Sequence, residues 1–297
     1  MNTSPLFSVL IANYNNGKYL MDAIESVYAQ TYTNWEIILV DDASTDNSKE
    51  LYKELANDSR IHIFYNDENR GCGYTKRRCA ELANGELCGF LDPDDMLTNE
   101  AIEYMVNTHL LDDSLSMAYS SLALIDSQKN VISVPKWQHQ IPSDSSYLYC
   151  KCGVIAHFVS FKSEAYKKTE GIGCEFFRAN DQDLYLKLEE VGRIKYIDKV
   201  LYCYRIDNPN SISIGDNIDK AFLFNIVARA NACRRRGLSI ETVLYPHFNE
   251  HILLFKQKYE RELAEIKNSR SYKIGRLLTA PYRFFRDIIK ANFTIGE

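Results

Sequence analysis

The sequence predicts an α/β fold, a mostly parallel sheet flanked by helices over residues 1–215, with a helical extension over 216–297 that ends in a basic amphipathic tail. Three observations carry this prediction. Short apolar, β-rich runs alternate with amphipathic stretches, one unit every 20 to 30 residues, which is the pattern of repeated strand–helix units. Two of the apolar runs end in clustered acids, and a buried strand tipped by acids sets them at the carboxyl edge of a sheet, where open α/β folds bind ligands. Past Gly215 the spacing of apolar residues becomes helical. With 297 residues, 45% of them hydrophobic, the chain is long enough to bury a large core.

Taken in order, Phe7 to Ala12 reads as a first strand, stopped by the polar stretch Asn13-Tyr14-Asn15-Asn16-Gly17. Leu20, Ala23, Ile24, Val27 and Tyr28 then line one face of a helix. Trp35 to Val40 is a second strand, ending in Asp41-Asp42. Thr45 or Asp46 can cap the helix whose apolar face carries Leu51, Tyr52 and Leu55. Ile61 to Tyr65 is a third strand. Leu82 and Ala83 close another helix, and Leu87 to Leu91 is a fourth strand running straight into Asp92-Pro93-Asp94-Asp95. Met117 to Ile125, Val131 to Val134 and Cys152 to Phe161 have strand character, with a long exposed loop over 135–150. Leu184, Leu188 and Val191 define a helix with Asp181 in its first turn. Ile218, Phe222, Ile226 and Val227 define another, closed by Arg234 to Arg236 and Gly237, and a further helical stretch follows Pro246.

Net charge is -5, unevenly spread. Residues 267–290 hold seven cations, Lys267, Arg270, Lys273, Arg276, Arg283, Arg286 and Lys290, against Asp287 alone. The tail is thus +6 and residues 1–266 are -10, which argues against nucleic-acid binding by the body. Ile274, Leu277, Leu278, Phe284, Phe285, Ile288 and Ile289 sit among those cations, with Pro281 dividing the segment. It reads either as a contact for an anionic membrane surface or as a helix packed on the acidic body. The expected location is cytoplasmic, with this tail on the inner face of the cytoplasmic membrane. No basic segment precedes the first apolar run, and no apolar stretch reaches about 18 residues, so neither a signal peptide nor a spanning helix is expected. The eight cysteines form no Cys-x-x-Cys pair, and His157 is the only histidine near two of them, too little for zinc; free thiols are expected.

The acids at 92–95 bear on chemistry. Three like charges so close repel, and a hard divalent cation, Mn²⁺ or Mg²⁺, with a phosphorylated ligand would compensate them. A solvated turn that caps the next helix is the alternative. Because acids also tip the second strand, two acidic edges converge on one crevice. Asp42 suits a nucleobase N–H or a ribose hydroxyl, and Tyr14 either stacks on a base or packs in the core. Gly71-Cys72-Gly73-Tyr74-Thr75-Lys76 imitates a dinucleotide fingerprint, but Lys76 replaces the third glycine and the stretch follows the third strand. It reads as a loop into a helix, with Lys76, Arg77 and Arg78 facing a phosphate or solvent. Asp181 either answers a helix dipole or acts as a general base.

Ser8 to Asn15, Gln30-Thr31-Tyr32, Trp35 to Asp46, Asn69-Arg70-Gly71, Ala83 to Glu86 and Leu91 to Asp95 stand in the order seen in family 2 glycosyltransferases. The chain resembles that family over about residues 6–215. The resemblance implies a GT-A fold, a nucleotide-activated sugar as donor and inversion at the anomeric carbon. It implies a nucleotide-sugar site of Ala12, Tyr14, Asp42, Lys76, Asp92 and Arg205, with Tyr14 on the base, Asp42 bonded to it and Asp92 near the ribose. Asp94, with Asp92, becomes the carboxylate motif for Mn²⁺ or Mg²⁺. Arg178 to Asp183 resembles the family's Glu-Asp motif, with Asn180 in place of Glu and Asp181 as the base. Tyr202 to Ser213 resembles the closing segment over the diphosphate, with Asp207 and Asn208 where a histidine is common. Lys76-Arg77 replaces the frequent Arg-Asn. The expected reaction is transfer from a UDP-sugar to a hydroxyl of a glycan or lipid-linked acceptor, as in cell-envelope polysaccharide assembly. Two alternatives stand beside it. A sugar-1-phosphate nucleotidyltransferase would want a glycine-rich first loop, where this chain has Gly17 alone. A non-catalytic sugar-nucleotide-binding subunit would not need all of Asp42, Asp92, Asp94 and Asp181.

Overall fold

A computed structural model of the chain describes residues 4–151, 153–208 and 218–269. Its first half is the predicted alternation: β1 (Phe7–Asn13), α1 (Gly17–Tyr28), β2 (Trp35–Asp41), α2 (Ser48–Leu55), β3 (Ile61–Tyr65), α3 (Cys72–Leu82) and β4 (Leu87–Phe90). Then come β5 (Met96–Leu97), α4 (Ala101–Leu111), β6 (Leu115–Ile125), β7 (Val131–Ser133), β8 (Val159–Lys162) and α5 (Ser163–Lys167). The remainder is α6 (Asn180–Val191), β9 (Arg193–Arg205), α7 (Ile218–Arg236) and α8 (Ile240–Asn268).

The strands form one sheet in the order β3-β2-β1-β4-β8-β6-β9-β5, with β7 paired to β6. The four N-terminal strands run parallel, as continuous apolar runs buried on both faces predict. Phe7 pairs with Trp35 and Asn13 with Asp41, while Leu10 pairs with Phe90. This register brings Asn13, Asp42 and Asp92 to one edge. Beyond β4 the sheet turns mixed: β8 runs antiparallel to β4 and β6, β9 parallel to β6, and β5 antiparallel to β9. The strand expected over Cys152 to Phe161 is corrected to β8, since pairing with β6 begins only at Val159 and Gly153 turns the chain with φ +92°.

Local chemistry accounts for the helices flanking this edge. Leu20, Ala23, Ile24 and Val27 of α1 are buried in the core together with β1 and β2 residues. Asp46 accepts the backbone N–H of Ser48 (3.1 Å) and of Gly17 (2.8 Å), tying the starts of α1 and α2 together. A Cβ at Gly17 would lie 2.4 Å from Asn47 Oδ1 and 3.0 Å from the Ser48 nitrogen, so a larger residue there would displace the Asn47 side chain.

The chain divides into two compact units, Met1–Val243 and Leu244–Glu297. In the first, the basic last turn of α7 meets acids at the end of α6: Arg235 pairs with Glu190 (2.8 Å), and Arg236 with Glu189 (3.0 Å) and Glu190 (2.9 Å). α8 begins at Ile240 and takes Pro246 inside it, earlier than the sequence predicts. None of the described helices is long and apolar enough to cross a membrane. Residues 209–217, with the Ser211–Ser213 part of the expected closing segment, and residues 270–290 of the basic tail lie outside the described residues. The described cysteines are all free.

Candidate functional site

The crevice is built on the ends of β1, β2 and β4. The two acids ending β2 face different neighbours. Asp41 turns inward, accepting the Tyr52 hydroxyl (2.6 Å) and the Ser44 N–H (3.0 Å). Asp42, also buried, accepts from the Asn66 side-chain amide (2.6 Å) and from the backbone N–H groups of Arg70 (2.9 Å) and Gly71 (2.8 Å). Its carboxylate therefore pins the Asn69–Gly71 loop that leads into α3. Ala12 is half-buried on β1, and Tyr14, just beyond it, leaves 43% of its surface exposed at the crevice rim.

At the tip of β4, Asp92 is held from two sides. Lys76 of α3 places Nζ 2.8 Å from Oδ1, and His157 places Nε2 3.4 Å from Oδ2. Burial opposes the Asp92 charge, but Lys76 and then His157 outweigh it and hold the carboxyl at about 2. The Lys76 ammonium is buried too, and Asp92 more than offsets that burial, keeping it charged. Asp94 differs: burial and then the neighbouring Asp92 push its pKa up, and the amide of Asn208 donates to one oxygen (2.6 Å). Asp95 is fully buried and pushed well above the usual carboxylate range by burial, Asp94 and Asp92. It accepts the Tyr202 hydroxyl (2.8 Å) and the Arg205 backbone N–H (2.8 Å). Tyr202 in turn accepts the N–H of Asp92 (3.2 Å).

Arg205 is buried and committed to protein partners. It donates to the carbonyls of Asp94 (2.8 Å) and Asp126 (2.9 Å) and to the Asp22 carboxylate (3.0 Å), and it lies over the Tyr19 ring. It shapes the Asp94 turn from behind.

α6 supplies Asp181. Ala179, in the left-handed region at φ +53°, aims the chain into the helix. Among the described residues the Asp181 oxygens accept only from Gln182, through its N–H (2.8 Å) and its side-chain amide (3.3 Å). Its charge acts on Lys76, Cys72, His157 and Tyr185, so it lies among the groups that surround Asp92. The separation between α3 and α6 is fixed by contact: a Cβ at Gly73 would lie 2.4 Å from the carbonyl of Phe176 and 2.8 Å from that of Gly173. That close packing, with Gly71 at φ +87°, is what the glycines of the false fingerprint serve. Lys187 and Asp183, a buried pair at 2.7 Å, hold the same loop through the Gly171 carbonyl (2.8 Å) and the Gly173 N–H (3.1 Å).

The structure thus brings together Lys76, Asp92, Asp94 and Asp181, sets Tyr14 and Ala12 on the neighbouring strand end, and keeps Asp42 and Arg205 behind the walls. Sequence reasoning missed the roles of Tyr202 and His157. No short-range pattern marks them, because they meet Asp92 across 110 and 65 positions of chain.

Among the described residues no group of three or more His, Cys, Asp or Glu side chains could hold a metal ion. Both Asp92 oxygens face Lys76 or His157, so the protein's own offer is one carboxylate, Asp94. Its raised pKa is the mark of a charge short of compensation. A small hard cation such as Mg²⁺ is commonly held by one or two carboxylates with substrate phosphates and water completing its shell, so Asp94 fits such an ion when a diphosphate is present.

Residues 8–166 match the family model of Glycosyl transferase family 2. The chain belongs to that family. It is 33% identical to a chondroitin synthase of Escherichia coli over 224 residues, which is 75% of this chain and 32% of that protein. It is 29% identical to a hyaluronan synthase of Pasteurella multocida over 73% of this chain and 21% of that protein. The chain therefore spans a third or less of these relatives' length. The fold is that of S. aureus TarS 1-349, solved with UDP-GlcNAc, with a TM-score of 0.62 at 20% identity over 75% of this chain and 66% of that one. Within family 2, then, the crevice at the ends of β1, β2 and β4 is the candidate active site.

Proposed function

We propose that this protein is an inverting glycosyltransferase that moves a sugar from a UDP-sugar to a hydroxyl of a glycan or lipid-linked acceptor. The observation that carries this reading is the pairing of the Asp92–Lys76 tip of β4 with Asp181 in one crevice. A polysaccharide synthase reading is supported by the relatives named chondroitin and hyaluronan synthase, and UDP by the TarS complexes with UDP and UDP-GlcNAc. Residues 1–215 would carry the transfer. The basic segment 267–290 would rest on the inner membrane face, where a lipid-linked acceptor is found.

In this reading the exposed Tyr14 ring takes the base against a wall formed by Ala12 and the loop that Asp42 pins. Asp92 takes the ribose. Lys76 provides fixed positive charge beside the diphosphate at no reorganisation cost. Asp94 would hold Mn²⁺ or Mg²⁺, which when bound neutralises charge growing on the departing diphosphate. Arg205 positions the Asp94 turn. Asp181 accepts the acceptor hydroxyl's proton as that oxygen bonds to the anomeric carbon, and the electrons of the breaking C–O bond leave with UDP. One displacement, with base and leaving group on opposite faces, inverts the anomeric carbon.

The test is turnover of a panel of UDP-sugars with oligosaccharide acceptors, following UDP release and the anomer of the product by NMR. Transfer with inversion, lost in Asp181→Asn, is the expected result. Nucleotide-sugar binding without turnover on any acceptor would favour the non-catalytic subunit.

A further inference from the structure

We propose that His157 is a positioning residue that fixes the side chain of Asp92 and so sets how the donor's ribose is held. The inference rests on the donor-site reading of Asp92.

His157 is buried, and its ring stacks on Tyr202 with centroids 5.3 Å apart. Tyr202 is itself fixed, donating to Asp95 and accepting the Asp92 N–H. The ring is therefore set by the same tyrosine that holds the Asp92 backbone. Its polar contact is Nε2 to Asp92 Oδ2 at 3.4 Å, while Nδ1 has no hydrogen-bond partner among the described residues. A neutral imidazole carries one N–H, and a carboxylate opposite Nε2 selects the tautomer with the proton there. His157 Nε2 and Lys76 Nζ thus each face one oxygen of Asp92. Two groups from separate elements, one per oxygen, leave the carboxylate little freedom to rotate. His109, also buried, offers the contrast: its Nε2 meets the neutral Ser160 hydroxyl (3.0 Å) inside the core.

A carboxylate held this way meets a ribose hydroxyl without first being ordered, and a charged hydrogen bond discriminates by about tenfold to a hundredfold. The test is calorimetric binding of UDP, 2′-deoxy-UDP and 3′-deoxy-UDP to wild type, Asp92→Asn, His157→Phe and His157→Gln. His157→Phe keeps a ring to stack on Tyr202 and removes the polar contact with Asp92, and His157→Gln restores an N–H there. Wild type should lose tenfold or more against at least one deoxy analogue. His157→Phe should bind all three alike, as Asp92→Asn does, and His157→Gln should recover the discrimination. Thermal melting separates misfolding from this effect. His157→Phe that discriminates as wild type does would overturn the inference and leave the donor reading intact. So would an equal loss for all three ligands, with the wild-type ratio kept. A wild type that binds no UDP would remove the donor reading, and this inference with it.

Discussion

Asp181 sits in the first turn of α6 with its carboxylate bonded, among the described residues, within its own helix and its charge felt by Lys76 and His157. Asp181→Asn keeps the shape and removes the basicity. Transfer should fall by about 100- to 10,000-fold with UDP affinity unchanged, as initial rates and calorimetry would show. Lys76→Met leaves Asp92 facing burial with His157 on one oxygen and nothing in place of the ammonium on the other. A buried pair broken on one side costs about 3 kcal/mol, so urea unfolding should shift by that order and UDP binding should weaken together with it. A third prediction concerns pH. Burial, with Lys162 nearby, lowers His109 to about 4 from its ordinary 6.5. The fold prefers the neutral ring, so stability is full above 6.5 and is lost as pH falls from there to about 4. That difference is about 3 kcal/mol. Urea unfolding of wild type should weaken between pH 7 and 4 by about that much more than His109→Gln, and parallel losses would refute it. Asp42, Asp92, Asp94 and Asp181 were all legible in the sequence, because strand ends and helix starts are short-range signals. That Asp42 spends its carboxylate on loop amides and Arg205 on Asp22 was not, because both partners come from distant chain.

Between residue and domain, the contact of α3 with the loop entering α6 decides whether Lys76 and Asp181 share a crevice. Gly73 makes that contact possible, its missing Cβ replaced by two backbone carbonyls that cannot move as a side chain would. Gly73→Ala should cost about 1–3 kcal/mol in urea unfolding and reduce transfer, by overpacking at the helix–loop contact. An alanine variant with wild-type stability and activity would show that the contact is slack. The elements themselves were unevenly legible. β1 to β4 and the helices between them announce themselves by apolar runs and helical spacing, since both faces of those strands are covered. β9 does carry a signal, Arg193 to Tyr196 alternating and Val200 to Tyr204 an apolar run, and reading Tyr202 to Ser213 as a closing segment passed over it, although only Leu201, Tyr202 and Arg205 of the strand are buried. β5, with two residues, is set by pairing to Cys203 and Tyr202 and by the Leu97 N–H donating to Ser26 Oγ (3.1 Å), all from distant chain.

Across the molecule, the sequence carries the parallel half of the sheet and hides its reversal at β8. A strand of four residues that follows a long loop can enter from either direction, and antiparallel pairing with Leu87 to Gly89 decides it. That reversal places His157 beside Asp92, so what sequence misses in topology it misses again in the site. Whether Asp94 holds the cation of a UDP site is read by titration calorimetry of UDP and GDP, with and without Mn²⁺, on wild type and Asp94→Ala. The expected result is UDP binding that Mn²⁺ strengthens in wild type and leaves unchanged in Asp94→Ala. Absence of binding of either nucleotide to folded wild-type protein, or an equal Mn²⁺ effect in the variant, would contradict it.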